Sequence, residues 1–75
     1  MLIGTFRFPR GCPQVPETIS AQWKDIYEET GDGGIWEEVV LTGPRDEIIN
    51  YCMNFKYLWV KRNNDWYKVK RPALH

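Results

Sequence analysis

The sequence has very few of the side chains on which most catalytic and metal-binding sites depend. Its 75 residues include a single histidine, His75, and two cysteines, Cys12 and Cys52. His75 is the last residue, and chain ends are usually poorly ordered, so no histidine is placed to activate a serine or cysteine nucleophile. A zinc-binding cluster of histidine and cysteine is excluded for the same reason. We therefore expect a protein that is not an enzyme, with no catalytic residues, no metal and no cofactor.

Disulfide frameworks and long apolar runs are also missing. Small secreted domains usually carry more than the one disulfide that two cysteines allow. No apolar stretch approaches the roughly 18 residues of a membrane-spanning helix. The opening residues, MLIGTFRF, lack the charged start and the long apolar run of a signal peptide. We expect no membrane partner and a location in the reducing cytoplasm, with both cysteines as ordinary thiols.

The sequence has no net charge, but the charges are unevenly distributed. Residues 1–44 contain three basic and seven acidic side chains (3 − 7 = −4), whereas residues 45–75 contain seven basic and three acidic ones (7 − 3 = +4). A dedicated nucleic-acid-binding protein is usually basic overall. The neutral total therefore counts against that function, and the basic second half keeps it open.

What the sequence does contain is a high proportion of aromatic residues for a short chain. Seventy-five residues make one domain, 1–75, and a domain of this size buries only about 60% of the surface that its unfolded chain exposes. Four tryptophans, four tyrosines and three phenylalanines compensate, because each ring can bury on the order of 150–250 Å². Dimerisation would add further buried surface.

Residue periodicity predicts six elements in the order β-α-β-α-β-β. The strands are predicted at 2–8, 35–41, 57–62 and 65–71, and the helices at 17–30 and from residue 44 to about residue 54. The first helix rests on a stripe of apolar and aromatic side chains at spacings of three or four: Ile19, Trp23, Ile26, Tyr27 and Thr30. The predicted fold is a two-layer α/β (α+β) sandwich, with a four-stranded mixed sheet and both helices on one face.

The last two strands predict a hairpin whose two faces differ in chemistry. A two-residue turn at Asn63-Asn64 pairs Arg62 with Asp65, since asparagine tolerates the positive φ that such turns need. One face then holds Leu58, Val60, Tyr67 and Val69, which we expect to close the core. The other face, here called the aromatic–basic face, holds Tyr57, Trp59, Lys61, Trp66, Lys68 and Lys70, and strand alternation adds Trp36. Trp23 alone of the four tryptophans is expected in the helix-covered core.

Three interpretations of the aromatic–basic face are open. Its rings and lysines can form cross-strand cation–π pairs that satisfy one another, each contributing about 0.5–1 kcal/mol. Contiguous exposed aromatics also mark protein interfaces, including a homodimer through the sheet. Finally, single-stranded nucleic acid can stack its bases on such rings, with lysines holding the phosphates.

A second candidate surface is acidic and lies on the first predicted helix. It consists of Asp25, Glu28, Glu29 and Asp32, which would form one helical stripe beside the apolar one. The function we expect is a small non-catalytic interaction module that regulates or inhibits a macromolecular partner, a protein, through the aromatic–basic face. A chain of this type suits a small inhibitor or adaptor, for example one encoded by a virus. The alternative is a single-stranded nucleic-acid-binding protein that uses the same face.

Overall fold

The computed structural model describes residues 1–28 and 35–70, with side chains described for all of these except residues 25–28. Five strands and one helix make up the described part of the chain. Their bounds are β1 (Leu2–Pro9), β2 (Ser20–Glu28), β3 (Ile35–Gly43), α1 (Arg45–Cys52), β4 (Tyr57–Arg62) and β5 (Asp65–Lys70).

The predicted fold class is wrong. The strands form one five-stranded sheet in the order β2-β3-β1-β4-β5, and every pairing between neighbours is antiparallel. The described residues hold one helix of eight residues rather than two helices, so the fold is a small α+β domain. The prediction failed because it assigned residues 17–30 to a helix. A helix between two strands serves as the crossover that joins parallel strands, so the sheet was predicted to be mixed rather than antiparallel.

A β-bulge explains why the sequence of β2 resembles a helix. In a regular strand, side chains on one face recur every two residues. Trp23 pairs with Val39 and Ile26 pairs with Glu37, so three steps along β2 match two steps along β3. With this extra residue, Ile19, Trp23 and Ile26 are separated by four and three positions, which is the spacing of a helical stripe.

The hydrophobic core lies between one face of the sheet, here called the core face, and α1. Its buried residues are Phe6, Phe8, Ile19, Val39, Leu41, Ile48, Tyr51, Phe55 and Leu58. Phe8 is fully buried, and its ring stacks on Phe55 at 4.6 Å and meets the edge of Tyr51 at 5.3 Å. The Tyr51 hydroxyl donates a hydrogen bond to the Pro13 carbonyl at 2.6 Å, which fastens the loop after β1 to the helix.

Trp23 does not lie in a helix-covered core. Its side chain is 44% exposed and borders an open groove formed with the proline-rich loop after β1. Because residues 20–28 form an edge strand, no helix is present at that position to cover the ring. This prediction is therefore wrong.

The predicted hairpin register is confirmed. Arg62 pairs with Asp65, Lys61 with Trp66 and Trp59 with Lys68. Asn63 and Asn64 both have positive φ, 51° and 67°, as a two-residue hairpin turn requires.

The predicted burial of the hairpin's core side holds only for β4. Leu58 is buried and Val60 packs against the core, whereas Tyr67 and Val69 on β5 are 51% and 40% exposed. The reason is that α1 packs mainly over β3, so it leaves the edge strand uncovered.

Candidate functional site

Strand register brings the rings and charges of the aromatic–basic face together from four strands. Pro9 of β1 pairs with Trp36 of β3, and two residues earlier Arg7 pairs with both Glu38 of β3 and Trp59 of β4. Alternation places these side chains opposite Phe6 and Phe8, on the face that α1 does not cover. β5 continues the row through the pairing of Trp59 with Lys68.

Trp36 and Trp59 form the aromatic centre of this face. Their ring centroids lie 6.4 Å apart, and the planes meet at 86°, an edge-to-face contact. Trp36 is only 5% exposed although no described helix or strand covers this face, and Trp59 is half-buried. The described side chains that pack beside Trp36 include the ring of Trp59.

Cations from β1 and β5 lie against the rings. The Arg7 guanidinium carbon is 3.9 Å from the centre of the Trp66 ring. The Lys68 Nζ is 5.9 Å from both Trp36 and Trp59 and 5.2 Å from Tyr57. These distances are within the range of cation–π attraction, so Arg7 and Lys68 contact rings that belong to other strands of the sheet.

Arg7 and Glu38 are part of the face and were not predicted. The Arg7 Nε donates to the Glu38 Oε1 at 3.4 Å, and the two side chains are only 17% and 11% exposed. Arg7 could have been found, because it alternates with Phe6 and Phe8 on a strand whose other face is apolar. Its pairing with Glu38 depends on the contact between β1 and β3, which the sequence pattern did not reveal.

Two indole groups on the face are buried without an acceptor. Among the described residues, Nε1 of Trp36 and Nε1 of Trp59 make no hydrogen bond. A buried donor left unpaired costs about 1–3 kcal/mol. Buried polar side-chain atoms usually have a hydrogen-bond partner, so these two N–H groups set the aromatic–basic face apart from the core face.

The remaining predicted residues lie at the rim of the face. Lys61 Nζ is 6.0 Å from the Trp66 ring, and Lys70 pairs with Tyr57 at the far end of the hairpin. Tyr57 is 36% exposed, and both lysines are exposed. The structure thus gathers all seven predicted residues on one side of the sheet, with Arg7 and Glu38 between them.

The acidic stripe is not present as predicted. Asp25 and Glu28 lie in strand β2 rather than on a helix, so the backbone there cannot form a helical stripe. Glu29 and Asp32 lie outside the described residues. β2 and β5 are the two opposite edges of the sheet, so Asp25 and Glu28 lie on the edge strand farthest from Lys68 and Lys70.

Burial shifts the pKa values of two titratable side chains on α1. Desolvation raises the pKa of the Cys52 thiol from 9.0 to about 11. Burial, followed by a hydrogen bond with Cys12, raises the pKa of Tyr51 above its ordinary value. Both groups are neutral near pH 7, and neither is poised as a base or a thiolate nucleophile.

Comparisons of the chain with protein families, with curated proteins and with solved structures found no match. In residues 1–28 and 35–70, no group of three histidine, cysteine, aspartate or glutamate side chains is arranged to hold a metal ion. The same part of the chain holds no helix with the length and apolarity needed to cross a bilayer.

Proposed function

We propose that this protein is a small non-catalytic interaction module that regulates or inhibits a protein partner through the aromatic–basic face. The observation that carries the proposal is the ordered ring cluster on the uncovered side of the sheet. Trp36 and Trp59 pack edge to face, and Arg7 stacks on Trp66 at 3.9 Å. Tryptophan, tyrosine and arginine are the residue types that contribute most often to binding energy at protein interfaces.

The cluster supports binding because its side chains are already in place. Association loses free energy when flexible side chains become ordered at an interface. Here the Arg7 side chain is 83% buried between Glu38 and Trp66, and Lys68 lies within 6 Å of three rings. A partner would meet a surface that is largely pre-organised, with little further ordering required.

The charges of the face favour an acidic partner. Among the described side chains of this face, four cations (Arg7, Lys61, Lys68 and Lys70) accompany one carboxylate, Glu38, which gives 4 − 1 = +3. Lys61 and Lys70 lie at the rim and are exposed. Rim charges chiefly steer association and select partners by electrostatic complementarity. We propose the cytoplasm as the site of this activity, which agrees with the free thiols of Cys12 and Cys52.

A single-stranded nucleic acid is the second candidate partner, because the same excess of positive charge would hold phosphates. Base stacking needs accessible ring faces. Trp36 is 5% exposed, and Arg7 already occupies one side of Trp66. Tyr57 and Trp59 remain for stacking, so the geometry favours a protein over a nucleic acid.

The proposal is tested by site-specific photo-crosslinking in the organism that makes the protein. Benzoylphenylalanine replaces Tyr57 on the aromatic–basic face and, as a matched control, Asn50, which is exposed on α1 on the opposite side of the sheet. We expect irradiation to give one discrete protein adduct from position 57 and none from position 50.

The adducts also separate the alternatives. Treatment with nuclease before electrophoresis leaves a protein adduct unchanged and shortens a nucleic-acid adduct. Quenching of tryptophan fluorescence by an oligonucleotide, falling steeply as salt rises, would support the nucleic-acid alternative. Equal adducts from both positions, or no adduct from either, would contradict the proposed function.

A further inference from the structure

We propose that the outer edge of β5 accepts an extended strand of a partner protein, one in which acidic and apolar side chains alternate, added antiparallel to the sheet. This inference rests on the proposed function, because it names the kind of segment that would reach the lysines of the aromatic–basic face. It adds a second feature, the backbone edge of β5, which the flat face does not use.

The edge of β5 is regular, unlike the other edge of the sheet. β5 pairs with β4 without a break from Asp65 to Lys70, and no other described strand pairs with it. β2, at the opposite edge, is interrupted by the bulge between Trp23 and Ile26. Bulges blunt an edge against further pairing, so β5 is the edge suited to receive a strand.

The turn geometry decides which backbone groups of β5 point outward. In a two-residue hairpin the residues that flank the turn, Arg62 and Asp65, form a hydrogen-bonded pair, and pairs then alternate along the ladder. Tyr67 and Val69 thus direct their backbone groups toward β4, and Trp66, Lys68 and Lys70 direct theirs toward the outer edge. The side chains of these last three residues belong to the aromatic–basic face.

The two sides of β5 differ in chemistry, and this specifies the added strand. One side carries Lys68 and Lys70, which would lie beside acidic side chains. The other carries Tyr67 and Val69, 51% and 40% exposed. Val69 also lines an apolar cleft of about 270 Å³ next to α1. An alternating acidic and apolar segment matches both sides at once, since successive side chains of a strand point to opposite faces.

A second copy of this chain fits the edge less well. Antiparallel pairing of β5 with another β5 would bring two lysines from each copy to the same side of the sheet, with no carboxylate on that side of either strand. Like charges on adjacent strands are unfavourable. The same lysines attract an acidic strand, so charge complementarity favours a different partner.

The test uses a seven-residue peptide that alternates glutamate with valine, blocked at both ends and labelled with fluorescein. Fluorescence anisotropy measures its binding to the wild-type protein. In an antiparallel addition, the glutamates are the residues whose N–H groups face β5. We expect methylation of the glutamate nitrogens to weaken binding about tenfold or more, the size expected for loss of two or more main-chain hydrogen bonds. Methylation of the valine nitrogens is the matched control and should change binding less than twofold.

Two protein variants repeat the test from the other side of the contact. Lys68→Pro removes both the charge and an outward N–H, whereas Lys68→Thr removes the charge and keeps the N–H. We expect Lys68→Pro to bind the unmethylated peptide about threefold more weakly than Lys68→Thr, the size expected for loss of one main-chain hydrogen bond. NMR spectra of the backbone amides of the hairpin check that both variants are folded. The comparison of the two methylated peptides uses the wild-type protein, so it does not depend on how the variants fold.

The outcomes distinguish this inference from the proposed function. Absence of peptide binding, or equal binding of the two methylated peptides, would overturn the edge site. The proposed function would be unaffected by that result, because the crosslink from position 57 tests it independently. Concentration-dependent dimerisation that Lys68→Pro abolishes and Lys68→Thr preserves would also overturn it, in favour of a second copy as the occupant. Selective loss with the glutamate-methylated peptide would support it.

Discussion

The two faces of the sheet are built from the same strands but are closed in different ways. On the core face, Phe8 is fully buried against Tyr51 and Phe55, and α1 covers the rings. On the aromatic–basic face, Trp36 is nearly as buried, yet no described helix or strand covers it. There Lys68 lies against the Trp36 ring and Arg7 lies against the Trp66 ring.

On the function proposed above, this difference separates stability from recognition within one small domain. Where α1 covers it, the core face is closed by contacts between apolar and aromatic side chains. In the part of the chain that the structure describes, the aromatic–basic face has an excess of positive charge and two indole N–H groups with no acceptor. A small chain has little surplus stability, so polar features of this kind on an otherwise well-packed face favour an interpretation in terms of a partner.

The largest expected effect is on the core face. Phe8→Ala should cost about 3–5 kcal/mol, because it removes a fully buried ring and leaves a cavity. Small domains have little more than this in total, so we expect the variant to be largely unfolded by circular dichroism at 25 °C. Ile3→Ala on the other face of the same strand is the control: Ile3 is 69% exposed and should change stability by less than about 0.5 kcal/mol. Similar losses from the two variants would contradict the assignment of the faces.

The next effect tests whether charges hold the aromatic–basic face together. Arg7→Met keeps most of the side-chain stem but removes the guanidinium from Trp66 and leaves Glu38 as a mostly buried carboxylate. We expect a loss of about 1–3 kcal/mol, measured as a lower urea midpoint with an unchanged slope. Arg10→Met is the matched control, since Arg10 is exposed in the loop after β1 and should stay within about 0.5 kcal/mol. If Arg7→Met were equally neutral, the contacts of Arg7 would contribute nothing to the fold.

A smaller effect concerns the unpaired indoles. Trp36→Phe loses some packing but also removes a buried donor that has no acceptor, a group that costs about 1–3 kcal/mol. The two terms oppose each other, so we expect a net change of no more than about 1 kcal/mol. Trp36→Ala, which removes the packing as well, should cost about 3–5 kcal/mol. If thermal unfolding showed the same loss for Trp36→Phe as for Trp36→Ala, the N–H would have an acceptor after all.

The smallest effect is a pH dependence of folding stability that comes from Cys52 on α1. Burial raises the pKa of Cys52 to about 11 from 9.0, so the folded state favours the neutral thiol. The contribution of the neutral Cys52 thiol to the stability of the folded state is therefore complete below pH 9 and is lost as pH rises through 11. We expect the free energy of unfolding of the wild type, relative to Cys52→Ala, to decline between pH 9 and pH 11. A constant difference across this range would show that the thiol is not desolvated.

The hairpin was predictable because local chemistry specifies it. Asn63 and Asn64 accept the positive φ of a two-residue turn, and segregation of lysine from leucine and valine selects one register. The positions of β1, β3 and α1 followed from alternation, proline placement and helical spacing. These signals lie within a few residues of one another, so they can be read without knowledge of the fold.

The rest depends on contacts between distant parts of the chain. The bulge in β2 gave its apolar residues helical spacing, and only the pairing of Trp23 with Val39 shows that the segment is a strand. The insertion of β1 between β3 and β4 brings Arg7 beside Glu38, 31 residues away. The sequence therefore predicted the rings and lysines of the candidate site but not the ion pair at its centre.

The central claim is that the aromatic–basic face, rather than the rest of the surface, contacts a partner. The most direct measurement is the yield of the crosslink from position 57 in two charge-reversed backgrounds. Lys61→Glu reverses a charge on the rim of the face, and Arg45→Glu reverses an exposed charge at the start of α1. We predict that Lys61→Glu removes most of the adduct and that Arg45→Glu leaves it unchanged. Equal yields in the two backgrounds would contradict the claim.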